Sequence, residues 1–439
     1  MNLRKYTYDV MKRAAYGCLF LFVLACTSSS QEPNGTESSV VAEPANPTPF
    51  QTGAEMLVAS DLAPLAGKRV GLIVNHTATV GDEHIIDAIH RAPNVELVAL
   101  FGPEHGIRGD EDAGAQVQDG IDQQSGVPVY SLYQGDTRKP APESLQGIDV
   151  LVFDIQDIGA RFYTYISTLG LTMQAAAEQN IAFMVLDRPN PLGGEYVSGY
   201  VLEEANTSFV GQYPIPVAHG MTTGELARLI KGEAYLEGLE NLVLSVIEMG
   251  GWSRNMTWGQ LNRSWIPTSP NIPDVETAFV YAGTCFFEAV EASEGRGTRT
   301  PFLQVGSTWG NADDLVATLN AYQLDGVDFE PIEFTPVSLE GMSSNPRFKD
   351  QQVQGVMQAV TNYQTYRPIE TGIHVLHAFY SASPSQAGFI NERWLRMLSG
   401  TDRLRQALIE GNEPQEIIDS WADEIATFIE LREPYLLYE

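Results

Sequence analysis

Basic residues are scarce: 26 Lys and Arg stand against 56 Asp and Glu in 439 residues, a formal net charge of −30. That shortage argues against a nucleic-acid ligand, because such ligands are held largely by cations that neutralise phosphates, and no basic run offsets it. Cysteine is scarcer still, with three in the chain: Cys18, Cys26 and Cys285. The cofactor fingerprints are missing as well. There is no GxxxxGK-Ser/Thr loop, no GxGxxG after the first strand and no GxSxG elbow, so no cofactor is expected and the serine-hydrolase reading weakens. An HExxH helix is also absent, which leaves metal hydrolysis without its tightest spacing.

What is present begins with a leader. Arg4, Lys5, Lys12 and Arg13 precede the apolar run Ala14–Ala25, which is too short for a mature span of about 20 residues and reads as a secretory signal over residues 1–25. Its end, Val23-Leu24-Ala25-Cys26, resembles a bacterial lipobox, with Cys26 as the acylated residue. Thr27 and Ser28 supply no acidic residue after that cysteine, which favours the periplasmic side of an outer membrane. The Ser-, Pro-, Glu- and Asn-rich stretch that follows has the composition of a flexible tether, residues 26–52. The expected membrane contact is through this lipid alone. With Cys18 removed and Cys26 lipidated, Cys285 in YAGTCFFEAV has no intramolecular partner and reads as a buried small hydrophobe.

With 44% hydrophobic residues, the body is long enough for two ordinary domains. From Arg69 it alternates short apolar runs with amphipathic segments, the pattern of βαβ units and a parallel sheet. Strands are expected at Arg69–Asn75, Val95–Phe101, Val127–Leu132, Ile148–Ile155, Ala182–Asp187 and Leu242–Ile247. Helices are expected at Asp82–Arg91, Ile166–Gln179 and Thr222–Glu233, the last opened by a Thr222/Glu225 capping box. After residue 278 the alternation fades into a smaller α+β domain, residues 279–439, with a strand-like His374–Tyr380 and helices at Asn391–Leu398, Asp402–Glu410 and Pro414–Leu431. The fold class is thus α/β, a Rossmann-like domain (53–278) with a smaller partner.

The unusual polar residues follow the strands: Asn75-His76, then Glu104-His105, then Asp154 to Arg161, then Asp187-Arg188-Pro189-Asn190. In open parallel sheets ligands bind outside the carboxyl ends of the strands, so these clusters point to one site. Glu104, in Gly-Pro-Glu-His-Gly, is the candidate general acid. Asp154, Asp157 and Asp187 are candidates for a second carboxylate or for orienting a hydroxyl. Tyr163 and Tyr165 suit a stacking wall or plain packing, and Asn75 and Asn190 suit hydroxyl recognition. His219 stands just before the Thr222 helix, where it either contacts substrate or supports the helix start. Glu104, His105, Asp110 and Asp112 also leave a metal site open, whereas His374 and His377 read as structural.

Taken together, GLIVNHT at Gly71–Thr77, LFGPEHGIRGDEDAG at Leu100–Gly114, VFDIQDIGARFYTYI at Val152–Ile166, LDRPNPLGG at Leu186–Gly194, AHGMTTGELA at Ala218–Ala227, SEGRGT at Ser293–Thr298 and ELREPYLLY at Glu430–Tyr438 resemble the NamZ-type exo-β-N-acetylmuramidases. The resemblance runs from about residue 55 to the end. It implies a Rossmann-like domain joined to a smaller one, and release of terminal β-linked N-acetylmuramic acid from the non-reducing end of peptidoglycan fragments. It makes Glu104 the favoured catalytic residue. FFEAVEASEGRGT keeps the family's SEGRGT but departs from its EGTN-like lead-in. Muramic acid carries a lactyl carboxylate that a bidentate guanidinium would hold; Arg296 comes first for that task, then Arg161 and Arg188. The expected substrate contacts are Asn75, His105, Arg161, Tyr163, Asp187, Arg188, Asn190, His219, Glu294 and Arg296, with Glu104 as the acid and Asp154 first for its carboxylate partner, a place still open to Asp157, Asp187 and Glu294. Two other readings stay open: a glycan-binding lipoprotein without catalysis, and a metal-dependent hydrolase or esterase in the same cleft.

Overall fold

The computed structural model describes residues 49–103, 106–108, 119–133 and 138–439. The leader, Cys26, Glu104, His105, Asp110 and Asp112 lie outside the described residues. Contacts divide the chain into residues 1–46 and 47–439, and every described residue belongs to the second unit.

In chain order the strands of the described residues are β1 (Arg69–Val74), β2 (Thr79–Val80), β3 (Glu83–His84), β4 (Glu96–Gly102), β5 (Gly120–Ile121), β6 (Pro128–Ser131), β7 (Val150–Asp154), β8 (Ala182–Leu186), β9 (Leu244–Ile247), β10 (Gln304–Ser307), β11 (Val327–Phe334) and β12 (Val353–Val360). The helices are α1 (Gly53–Ala59), α2 (Ile85–His90), α3 (Tyr165–Glu178), α4 (Thr223–Gly232), α5 (Val275–Thr284), α6 (Ala312–Ala321), α7 (Pro368–Ala382), α8 (Gln386–Phe389), α9 (Glu392–Ser399), α10 (Arg403–Glu410), α11 (Pro414–Asp419) and α12 (Ala422–Arg432).

The large sheet runs β5-β6-β4-β1-β7-β8-β9. It is parallel except where β5 meets β6. Successive side chains of a strand face opposite sides, and here both sides are covered. Val70, Leu72, Val74, Val152 and Met184 pack with α1 and α2, while Ile73, Leu151, Phe153 and Phe183 pack with α3 and α4. Strands buried on two faces read as unbroken apolar runs, as β1, β7 and β8 do; β6 and β9, at or next to the edges, are only partly buried, and all six expected strands are found. From β1 the chain moves to β4 and β6 on one side, then returns to β7 on the other. That reversal opens a crevice at the carboxyl ends of β1 and β7.

A second, smaller layer holds the antiparallel sheet β10-β12-β11 against α5, α6 and α7. Helices α5 and α7 cross at two glycines: a Cβ on Gly283 would lie 2.0 Å from the Pro368 carbonyl oxygen, and one on Gly372 would lie 2.5 Å from the Gly283 oxygen. The architecture is α/β, as expected, with three local differences. His374–Tyr380 is helical, inside α7; the helix is buried on nearly every side, so no polar stripe marks its period. The 82–91 segment starts with the β2/β3 hairpin, and α2 begins only at Ile85, capped by His84 Nδ1. Pro414–Leu431 is two helices, broken at Ser420-Trp421 where the Trp421 side chain is buried. At the other end Gln51 bridges Gly250 and Thr52 caps α1, so residues 49–52 belong to the folded body.

Candidate active site

At the switch point the strand ends are tied to each other. The Asn75 Oδ1 atom accepts from Thr77 N at 3.0 Å and Thr77 Oγ1 at 2.6 Å, and Thr77 Oγ1 in turn accepts from Gln156 N at 3.0 Å. This joins the end of β1 to the end of β7. Asn75 Nδ2 is buried with no partner among the described residues. Beside it Arg188 grips the fully buried Asp154 with two parallel bonds, Nη2 to Oδ2 at 2.9 Å and Nε to Oδ1. Arg188, Thr77, Gln156 and Pro189 form one wall of a cavity of about 410 Å³, closed opposite by Trp258 and Arg263. Both Asp154 oxygens are thereby spent on Arg188, so its role here is to hold that arginine.

Four other expected contacts are occupied in holding the backbone. Asp187 accepts from Gly224 N at 2.7 Å, Thr222 Oγ1 at 2.7 Å, Tyr438 OH at 2.6 Å and Arg188 N at 2.9 Å. It therefore pins the start of α4 and the chain's last residues to the end of β8. Burial raises its carboxyl to about 6, against the pull of those donors. Asn190 folds an Asx turn, accepting from Leu192 N at 2.9 Å and donating to the Met221 carbonyl at 3.0 Å. His219 is wholly buried; its Nδ1 accepts from Met221 N at 3.2 Å, and burial, then Arg432 and Arg161, keep the ring neutral with a pKa near 3. Arg161, also wholly buried, donates to the carbonyls of Tyr200, Ile215 and Leu398 at 2.7, 2.7 and 3.0 Å. Its two terminal nitrogens brace three chain segments, while Nε is buried with no partner among the described residues. Asp157, buried and raised to about 7 by desolvation, bonds Gly159 N at 2.7 Å.

A second crevice gathers the rest. Residues 263–272 form a wedge: Arg263, Ser264 and Ile266 face the first cavity, whereas Ser269, Asn271 and Ile272 face another of about 180 Å³. The wedge is fixed by Tyr163 OH to Thr268 Oγ1 at 2.8 Å, Tyr165 OH to the Thr268 carbonyl at 3.0 Å and Trp265 Nε1 to the Ile272 carbonyl at 3.1 Å. Tyr163 and Tyr165 meet edge to face, 5.2 Å between ring centres, and both line the smaller cavity. Its charged wall is Arg296 with Glu288, Nη2 to Oε1 at 2.8 Å, and Glu294 lies 3.4 Å from Arg296 Nε. The guanidinium also stands 5.0 Å over the Phe302 ring. An adjoining space of about 460 Å³ shares Glu288, Arg296 and Trp394 and adds Glu294 and Arg347. Burial raises the Glu294 carboxyl, opposed by Arg296.

Tyr163, Glu294 and Arg296 thus converge, while Asn75, Asp154 and Arg188 gather at the neighbouring crevice. Glu288, Asn271 and Trp394 are additions. Glu288 carries the only readable signal, standing eight residues before Arg296 in the segment that departs from the expected lead-in; Asn271 and Trp394 carry none. Among the described residues no cluster of His, Cys, Asp or Glu is placed to hold a metal ion.

Two family models cover this chain. The N-terminal model of exo-β-N-acetylmuramidase NamZ matches residues 70–276, and the C-terminal model matches residues 279–438. The chain belongs to the NamZ family. Peptidoglycan β-N-acetylmuramidase NamZ of Bacillus subtilis (strain 168) is 40% identical over 389 residues, 88% of this chain and 91% of its own length. Two solved structures of DUF1343 family proteins from Bacteroides fragilis NCTC 9343 have the same fold. One is 39% identical with a TM-score of 0.80, the other 32% identical with a TM-score of 0.72, and each match covers 89% of this chain and 99% of the other. The border between the two NamZ models falls at the start of α5, so the NamZ C-terminal part contributes Glu288, Glu294 and Arg296 while the N-terminal part contributes Tyr163 and Asn271.

Proposed function

We propose that the chain is an exo-acting glycoside hydrolase that releases terminal β-linked N-acetylmuramic acid from the non-reducing end of peptidoglycan fragments, in cell-wall turnover. The observation that carries this reading is the match of both NamZ models, which together span nearly the whole described body. The cavity walled by Arg296 and Glu288 supports it, since a small recess suits a terminal sugar better than a long chain. Glu104 protonates the glycosidic oxygen as positive charge develops on the sugar. For the second carboxylate, Glu288 replaces Asp154: it lines the recess with its side chain 21% exposed, whereas Asp154 is sealed against Arg188. The wild-type protein is expected to cleave a chromogenic N-acetylmuramic acid glycoside with the same rate before and after incubation with a chelator. No cleavage, with the sugar still bound, would establish a glycan-binding protein; cleavage lost to chelator and restored by a divalent ion would establish a metal hydrolase.

We also propose that Cys26 carries lipid and holds the catalytic body in the cell envelope, on the periplasmic side of the outer membrane where one exists. The support is the basic leader, the lipobox-like ending and the polar tether composition. A Cys26→Ala variant expressed with its leader should move from the membrane pellet to the soluble envelope fraction with unchanged turnover per molecule. Retention in the pellet after a salt wash would show that the anchor lies elsewhere.

A further inference from the structure

Asn271 is almost completely buried in the wedge and lines the small cavity. Its amide orientation is decided by its neighbour: Nδ2 donates to the Met342 carbonyl at 2.8 Å. The other amide atom, Oδ1, therefore has a fixed direction, and it has no hydrogen-bond partner among the described residues. A buried acceptor left unpaired costs roughly 1–3 kcal/mol; other buried polar atoms among the described residues also lack partners, but of their residues Asn271 is the one that lines the small cavity. This one is also held rigid. Thr268, three residues earlier, takes the hydroxyls of Tyr163 and Tyr165, His76 Nε2 meets the Pro267 carbonyl, and Asn271 N donates to Ser269 Oγ at 3.3 Å. The acceptor is thus prepared before any ligand arrives, which is what a recognition group needs.

The surroundings narrow the kind of donor. Ile272, Val210, Leu398 and Phe302 give the recess apolar surface, and its polar side is Arg296 with Glu288. A sugar hydroxyl would suit the acceptor but leave the apolar surface without a partner. An acetamido group offers an N–H donor with a methyl attached through one carbonyl, so it satisfies both. We propose that Asn271 Oδ1 is the acceptor for the 2-acetamido N–H of the sugar and makes the enzyme selective for N-acylated substrates. This rests on the glycosidase reading above and adds to it the residue that reads the amide.

The test compares two chromogenic muramic acid glycosides, one with the natural 2-acetamido group and one with a 2-acetoxy group, which keeps the carbonyl and methyl but has no N–H. Wild-type enzyme is expected to prefer the acetamide by about tenfold to a hundredfold in kcat/KM, the range set by one unpaired buried acceptor. Asn271→Ala should reduce that preference to within a few-fold, mainly by losing activity on the acetamide. The ratio is measured within one protein, so a partly unfolded variant does not distort it. If Asn271→Ala yields no folded protein, Asn271→Leu keeps the volume and lacks the acceptor, and the same collapse is expected. An unchanged preference in an active variant would overturn the assignment of Asn271 alone. Wild-type protein that turns over neither glycoside would overturn the glycosidase reading and this inference with it.

Discussion

Glu104→Gln is expected to remove hydrolysis of natural muramyl fragments while leaving the affinity for N-acetylmuramic acid within a few-fold of wild type. Glutamine keeps the size of the side chain and its capacity to hydrogen-bond a sugar oxygen, but it has no proton to surrender. General acid catalysis contributes roughly 10²–10⁴-fold, and the need for it depends on the leaving group. A sugar alkoxide leaves poorly without protonation, whereas a nitrophenolate leaves well. The variant should therefore lose about the full range on a disaccharide and markedly less on the nitrophenyl glycoside. Equal losses on both would instead make Glu104 the nucleophile or an electrostatic support. β4 ends at Gly102, whose carbonyl accepts from Leu132 N at 2.8 Å, and Gly106 N returns to the Pro103 carbonyl. The described residues before Glu104 thus end β4, the strand next to β1.

The second large effect concerns Arg296. Arg296→Ala should lower kcat/KM for a muramic acid glycoside by about two orders of magnitude and lower that for the corresponding N-acetylglucosamine glycoside by less. The guanidinium lies between Glu288 and Glu294 and stands in the wall of both adjoining spaces. Removing it leaves two carboxylates side by side facing an anionic substrate, with Arg347 as the remaining nearby cation. A charged group deprived of its partner in a recessed site is costly, typically 2–5 kcal/mol when buried at an interface, and the lactyl carboxylate feels that excess charge in addition. The neutral substrate feels only the disturbed placement of Glu288. Selectivity is accordingly the informative quantity: an equal loss on both sugars would confine Arg296 to positioning Glu288, and no loss on either would remove it from the site.

Much of this was readable in advance, and the exceptions share a cause. Strands β1, β7 and β8 were visible because burial on both faces leaves apolar runs that no surface requirement interrupts. The β10-β12-β11 sheet was not: β11 (VDFEPIEF) sets buried Val327 and Phe329 between acids but is interrupted by exposed Pro331. In α7 the problem was reversed: a helix buried all round has no polar face to betray its period. Site residues follow the same logic. Arg161 and Arg296 both stand within two residues of a glycine, yet one is enclosed by the carbonyls of Tyr200, Ile215 and Leu398 and the other by two glutamates. The Arg161 partners lie 39 to 237 positions away and leave no local trace, whereas the glutamates of Arg296 stand close before it in the sequence. Asn271 gave no signal because its significance is an atom without a partner, which only packing can reveal.

Residues 432–438 are tied to elements far earlier in the chain. Tyr438 caps Asp187 at the end of β8, Leu437 N donates to Glu225 at 2.9 Å, and Arg432 reaches the carbonyls of Gly194, His219 and Gly220. These contacts fix the end of β8, α4 and the connection between them, all built from sequence some two hundred positions earlier. Loosening residues 432–438 therefore loosens the end of β8 and the start of α4 as well, although 212 and 251 positions separate the partners in sequence.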